Sequence, residues 1–305
     1  MRQLIHEQAA DAPASAVARW HQMDDESVKQ IDRQILEHKI EQAPKGCATF
    51  IGVDEIAHKK GHHYLSVITD LECRRAIALE EGRQAESLSR FFKYLGKEHC
   101  RDIQAVAVDR WRPWRKAIRK WCPQALIVFD KFHVIGDCNE AVDLVRRRLQ
   151  CLLSPSDQTA MKHGKWAVLK KPENLSQRQR GTLAWIERYN RPLYRAYLLK
   201  EEFRLWYAQA PERGQTKEGF LRQARLGFAA WCQRVMRSRI PELVRFARAL
   251  RKDKQMVLNY FVHRVTNGLT EGLNSVIRQI QRRACGYRDL AYFTLKVYQK
   301  AGVIR

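Results

Sequence analysis

The sequence predicts an α/β protein, a mixed five-stranded sheet with flanking helices and a large all-helical insertion. Five short apolar runs of strand type lie between residues 48 and 129, the last three separated by amphipathic stretches of helix length. From about Cys138 to Met256 the pattern is helical throughout. A chain of 305 residues, 45% of them apolar, can bury the core of one elaborated domain or two.

The N-terminal residues 1–46 read as a helical segment. Within 14–36, two short amphipathic helices flank a turn at Met23–Asp24, with Val17, Ala18, Met23, Val28 and Ile31 spaced as a helical-hairpin core. Asp24 or Asp25 suits the N-cap of the second helix. Such a hairpin is either a partial helix-turn-helix or a plain linker. Pro44–Lys45–Gly46 marks the boundary.

ATFIGV then opens the sheet, and HYLSVIT and RRAIAL, joined by the turn DLEC, add two antiparallel strands. A helix from about Gln84 to Leu95 puts Ala85, Leu88, Phe91, Phe92 and Leu95 on one face. Strand IQAVAV, a helix over Pro113–Trp121 and strand ALIVF complete the order β-β-β-α-β-α-β. Helix crossovers make the fourth and fifth strands parallel to the first. With the fourth strand beside the first, Asp54 and Asp109 emerge at one carboxyl edge, a strand spacing apart. The ribonuclease H-like fold has this topology. Residues 47–137 and 257–305 would form that core, and 138–256 the insertion.

Asp54 in FIGVDE, Asp109 in AVAVDRW and Glu271 in NGLTEGLN form the set a two-metal phosphoryl-transfer site needs. There, carboxylates hold two cations about 3.5–4 Å apart, one at the attacking oxygen and one at the leaving oxygen. Oxygen-only ligands suit Mg²⁺ or Mn²⁺. In LTEGLNSVIRQIQRRA, helical spacing puts Leu269, Leu273, Val276, Ile277 and Ile280 on a buried stripe. Glu271, Asn274, Ser275, Arg278 and Arg282 fall on the opposite one, where two arginines in line with a carboxylate suit a phosphate backbone leading to metal. The plain alternatives are a solvated helix face for this stripe and a strand-end turn cap for Asp54.

With 56 Lys+Arg against 33 Asp+Glu, the net charge of +23 points to a polyanionic partner, here double-stranded DNA. Lys59, Lys60, Arg278 and Arg282 are candidate phosphate contacts. Trp111 and Trp114, close to Asp109, either pack in the core or stack on an unpaired base, and core packing is favoured. No run approaches the ~18 apolar residues of a membrane span. The first 30 residues hold Asp11, Asp24, Asp25 and Glu26 and no apolar signal core, so a cytoplasmic protein without membrane partners is expected. The eight cysteines form no C-x-x-C pair, which argues against structural zinc. His58, His62 and His63 in HKKGHHY read as a DNA-facing or solvated loop, with a metal cluster as the alternative.

Together these blocks resemble the DDE transposases of the ISL-three group of bacterial insertion sequences, over roughly residues 48–303. The resemblance rests on IGVDEIAHKKGHHYLSVITD, EGRQAESLSRFF, VDRWRPWRKAIRKWCPQALIVFDKFHV and LTEGLNSVIRQIQRRACGYRDLAYFTLKVY. It implies a ribonuclease H-like core, a helical insertion before the last carboxylate, Mg²⁺-dependent cleavage and joining of DNA at transposon ends, and Asp54, Asp109 and Glu271 as the triad. A homodimer or larger assembly on DNA is expected. DKFH, Asp130 to His133, is similar to the Asp/Cys-x-x-His element after the fifth strand in Mutator-like transposases. Asp130 either competes with Asp109 for the second carboxylate or forms a structural unit with His133, and the strand order favours Asp109. Members of the group carry a Cys-rich zinc ribbon ahead of a helix-turn-helix, whereas no cysteine precedes Cys47 here. A shortened copy, a fragment or a misassigned start is therefore expected, with recognition of transposon ends in question. The rival functions are a nuclease that cuts without joining and a noncatalytic DNA-binding protein derived from a transposase.

Overall fold

The first strand is buried in a continuous run from Ile51 to Asp54 and alternates only beyond it, and the two faces of that strand set the layers of the sheet-bearing unit. The computed structural model describes residues 1–43, 48–59, 61, 63–110, 112–162 and 164–304. Pro44–Lys45–Gly46, Cys47, Lys60, His62 and Trp111 lie outside the described residues. The chain divides into two compact units, Met1–Val128 with Val265–Arg305, and Phe129–Arg264.

The first unit begins with three helices, α1 (Arg2–Asp11), α2 (Ala14–His21) and α3 (Asp25–Gln42). Asp24 caps α3, its carboxylate accepting from Ser27 N at 2.8 Å, and Gln22 turns the chain in the left-handed region at φ 52°. Val17, Ala18, Val28, Met23 and Ile31 cluster as the hairpin reading expects. The same core also takes Ile5 and Ala9 from α1, a helix without an N-terminal side-chain cap or a strong apolar face to announce it.

Strands β1 (Phe50–Lys59), β2 (His63–Asp70) and β3 (Arg75–Glu81) follow, then α4 (Ala85–Leu95), α5 (Lys97–Asp102), β4 (Ala105–Val108), α6 (Arg112–Trp121) and β5 (Leu126–Phe129). The sheet order is β3-β2-β1-β4-β5. β1 and β2, and β2 and β3, pair antiparallel, while β4 runs parallel to β1 from Phe50↔Ala105 to Val53↔Val108. The α/β class, the five strands and the place of the fourth beside the first are as expected. The short α5 is an addition. Trp114 of α6 is buried, as core packing requires.

The chain returns to this unit as α16 (Gly268–Arg283) and α17 (Leu290–Ala301), with α7 to α15 falling in the other. Period-two geometry separates the faces of β1. Ile56 packs with Leu65 and Val67 of β2 and Leu273, Ile277 and Ile280 of α16, whereas Glu55 on the opposite face binds Arg83 at 3.0 Å. Each buried aliphatic of this layer contributes about 1.5–3 kcal/mol. Leu273, Ile277 and Ile280 are buried as expected, while Leu269 and Val276 sit at the margin, partly exposed.

Beyond β5, the regular elements described in the second unit are all helices: α7 (Lys131–Gln150), α8 (Pro155–Ala160), α9 (Gly164–Leu169), α10 (Gln177–Tyr189), α11 (Arg191–Ala208), α12 (Lys217–Ser238), α13 (Pro241–Lys252), α14 (Lys254–Leu258) and α15 (Tyr260–His263), with a short 3-10 turn at Pro172–Asn174. Its core is aromatic, centred on Phe203 with its ring 4.4 Å from that of Trp231. Gly227 admits Trp206, since a Cβ there would lie 2.7 Å from the indole Cδ1.

A buried charge network fastens α1 and α3 to α17. Asp32 of α3 is fully buried and accepts from His6 Nδ1 at 2.7 Å, Tyr292 OH at 2.6 Å and Lys296 Nζ at 2.9 Å. Lys296 also donates to the Ala9 carbonyl at 2.8 Å. Burial lowers the Lys296 pKa, and the adjacent Asp32 charge opposes that shift. Removing one partner strands the other in a low dielectric. Asp32→Ala is therefore expected to lower the unfolding free energy by about 3–5 kcal/mol, measured by urea titration. A loss below about 1 kcal/mol would show that solvent reaches Lys296 and relieves it.

Candidate active site

The site is built where β1 and β4 part. Their last ladder pair is Val53↔Val108, so Asp54 and Asp109 are the next residues on adjacent parallel strands, which lie about 4.8 Å apart. Asp54 does not sit beyond its strand, as the apolar run alone suggests. β1 continues to Lys59 because its pairing with β2 persists after β4 has ended. Asp54 is thus held inside a strand and is 8% exposed, and Asp109, just past β4, is half-buried.

Helix α16 lies against this edge through polar contacts. Asn267 Nδ2 donates to the Val53 carbonyl at 2.8 Å. The Thr270 hydroxyl meets that of Thr69 at 2.7 Å, and Asn274 Nδ2 donates to Asp54 Oδ2 at 2.7 Å. Gln281 Nε2 donates to the His58 carbonyl. Asn267, Thr270 and Asn274 are all buried. The close approach is possible because residue 52 is glycine: a Cβ there would lie 2.4 Å from Thr270 Oγ1, 2.6 Å from Thr69 Oγ1 and 2.9 Å from Asn267 Oδ1.

Asn274 is a correction to the sequence reading, which put it on the solvent stripe with Glu271. The apolar stripe is narrower than expected and shares its face with the polar residues that reach β1. Glu271, Ser275, Arg278 and Arg282 are exposed, as that stripe requires. Glu271 stands one residue after Thr270 and three before Asn274, so its helical turn is the one pinned to Asp54. Asp54 Oδ1 accepts from Glu55 N at 2.8 Å. With Asn274 on Oδ2, both oxygens are held and the orientation of the carboxylate is fixed. Asn274 Oδ1 is buried and without a hydrogen-bond partner among the described residues, an acceptor suited to a hydrated ion nearby.

Of the other candidates, Lys59 is exposed at the end of β1; Lys60 lies outside the described residues. Asp130 and His133 belong to the helical unit. Asp130 is the buried N-cap of α7, its Oδ2 accepting from Phe132 N at 3.0 Å, His133 N at 3.2 Å and His133 Nδ1 at 3.0 Å. His58 corrects the solvated-loop reading. It sits at a bulge in the β1–β2 ladder, between Ala57↔Tyr64 and Lys59↔His63, and its ring turns inward onto Phe293, 5.4 Å between centroids. Burial lowers its pKa, followed by the nearby Lys59 charge. His63 is exposed.

A transposase family model, that of the DDE enzymes of ISL-three insertion sequences, matches residues 51–297. The chain belongs to this family. The transposase for insertion sequence element IS1001 of Bordetella parapertussis is 31% identical over 286 residues, covering 92% of this chain and 68% of that protein. The transposase for insertion sequence element IS1557 of Mycobacterium tuberculosis is 31% identical over 262 residues, covering 78% of this chain and 57% of that protein. The match begins at the strand that carries Asp54 and runs through the helix that carries Glu271.

The seam between β1 and α16 can be tested apart from any carboxylate. Gly52→Ala must push Thr270 and Asn267 off the strand, and is expected to destabilise the protein by about 1–3 kcal/mol in denaturant titration. The cost should shrink in a Thr270→Ala background, where the closest atom is gone. Equal costs in both backgrounds would mean that α16 is not what residue 52 meets.

Proposed function

We propose that this chain is a transposase that cleaves DNA at insertion-sequence ends and joins it to target DNA, with Asp54, Asp109 and Glu271 as its metal-holding triad. The observation that carries the reading is the Asn274–Asp54 hydrogen bond, which ties the helical turn bearing Glu271 to the strand bearing Asp54. The sheet order β3-β2-β1-β4-β5, antiparallel through β1 and parallel from β1 to β4, supports a ribonuclease H-like core. Asp54 and Asp109 follow its last ladder pair.

An oxygen-only set of three carboxylates fits Mg²⁺ or Mn²⁺. Two such ions would raise the nucleophilicity of the attacking oxygen and stabilise the leaving one. The residues of the chain supply placement: the Glu55 N–H and the Asn274 amide fix the Asp54 carboxylate, and Gly52 lets α16 come close enough for that contact. Asp109 is preferred over Asp130 because it follows β4, the strand paired with β1, whereas Asp130 follows β5 at the edge of the sheet. Arg278 and Arg282, exposed on the Glu271 helix, would hold phosphates, with Lys59 at the end of β1. The protein would work as a homodimer or larger assembly on double-stranded DNA. The α2–α3 hairpin reads as a docking element rather than a groove reader, since α3 buries Asp32 and Leu36 against α17. No helix of the described residues is long and apolar enough to cross a membrane.

Asp54→Ala, Asp109→Ala and Glu271→Ala are each expected to abolish cleavage and joining of labelled transposon-end DNA while leaving DNA affinity nearly unchanged. Asp130→Ala should retain measurable cleavage. A dead Asp130 variant beside an active Asp109 variant would overturn the assignment of the second carboxylate. Mg²⁺ and Mn²⁺ should support turnover, Ca²⁺ binding without chemistry, and EDTA neither cleavage nor joining. Turnover in EDTA would rule out the two-metal site.

Replacing Arg278 and Arg282 together by Gln should lower the slope of log K against log salt by up to about 2, with the helix intact because Gln is nearly as good a helix former as Arg. An unchanged slope and affinity would assign these arginines to solvent or to a protein partner.

A further inference from the structure

The helical unit holds a cationic cleft that the triad does not use. Residues 129–264 carry 28 Lys and Arg against 13 Asp and Glu, so most of the chain's excess charge lies in this unit. Much of that charge is neutralised locally: Arg146 and Arg147 bind Asp143, Arg148 binds Glu242, Arg204 binds Glu201 and Arg234 binds Glu202. Around one concavity it is not. A cleft of about 650 Å³ runs along α12 to the corner between α13 and α14, with Arg237, Arg251 and Lys254 on its walls and no acidic residue among those lining it. These three cations have no ion-pair partner among the described residues, and all three are exposed.

The floor has a different character. Phe228, Cys232 and Met236, at i, i+4 and i+8 on α12, line it with apolar surface; the first two are buried and Met236 is half-buried. Gln233 adds an amide beside them. The volume falls within the range of about 300–1,000 Å³ that accommodates ligands of nucleotide size. Exposed Ala229, Gln233 and Arg237 leave the cleft open along the helix, so a strand can lie through it.

We propose that this cleft binds single-stranded DNA, its phosphates on Arg237, Arg251 and Lys254 and one base against the Phe228–Met236 floor. Duplex DNA has no exposed base face to seat on the floor and so is not held between these walls, whereas an unpaired nucleotide uses floor and walls together. The inference rests on the reading of the chain as a DNA-processing enzyme, and it adds to that reading a strand-selective surface in the helical unit.

The test measures binding of the full chain in EDTA, where no chemistry occurs, to a fluorescein-labelled 20-nucleotide thymidine strand and to a duplex of equal length, by anisotropy across a salt series. The triple variant R237Q/R251Q/K254Q should weaken single-strand binding at least tenfold and lower its salt slope by about 2, from three contacts at about 0.7 each. Duplex affinity should change by less than about threefold. Met236→Glu, which sets a carboxylate on the floor, should weaken the strand selectively, and Met236→Leu should not. These positions are at least partly exposed, and thermal unfolding checks that each variant keeps its fold. Unchanged single-strand binding by the triple variant, or equal losses for strand and duplex, would overturn the cleft assignment alone. Wild-type protein that binds neither DNA would overturn the functional reading with it.

Discussion

The structure depends on how closely α16 approaches β1. Apolar packing from Leu273, Ile277 and Ile280 holds the helix to the sheet, but apolar contacts tolerate sliding. The buried polar bonds from Asn267, Thr270 and Asn274 do not, because each has one partner at one register and leaves a desolvated polar group if it slips. Gly52 makes room for Thr270 and Asn267 directly, and so for the helix that carries Asn274. Helix position, and with it the position of Glu271, is therefore set by a missing side chain on the strand opposite.

The Asn274 amide shows how scaffold and site share one contact. It stabilises the docked helix and orients a carboxylate at the same time, so substitutions here mix loss of stability with loss of placement. Gly52 and Thr270 act on the same geometry from one residue further away, with no atom on the carboxylate. Comparing the two kinds of variant separates support of the helix from orientation of Asp54.

Much of this was legible in the sequence. Strands and crossover helices show in their periodicity, and the parallel sense of the fourth strand follows from its helical crossover. Its place beside the first, on which the meeting of Asp54 and Asp109 depends, was a condition of the sequence pattern that the ladder meets. Two kinds of feature were not legible. Asn274 and His58 are polar residues that pattern reading assigns to solvent; the first is buried by a hydrogen bond and the second by a bulge, both products of tertiary register rather than of local sequence. The full length of β1 was hidden too, since His58 and Lys59 read as polar loop while Lys59 still pairs with His63 of β2. Lys296, a charged residue amid the apolar face of α17, gives no local sign that Asp32 lies across from it.

The sheet-bearing unit is discontinuous in the chain, and this has a consequence for synthesis. Asp32 and Asp54 leave the ribosome with the first strands, but Lys296 and Asn274, the groups that settle them, come after the helical unit. At translation rates of about 5–20 residues per second, the interval is on the order of tens of seconds. During it, the apolar face of β1–β3 and two carboxylates wait uncovered, while the helical unit, continuous in sequence, can complete its own core. The order of maturation is thus the middle first and the two ends last, so the strand bearing Asp54 and the helix bearing Glu271 meet only once the chain is nearly complete.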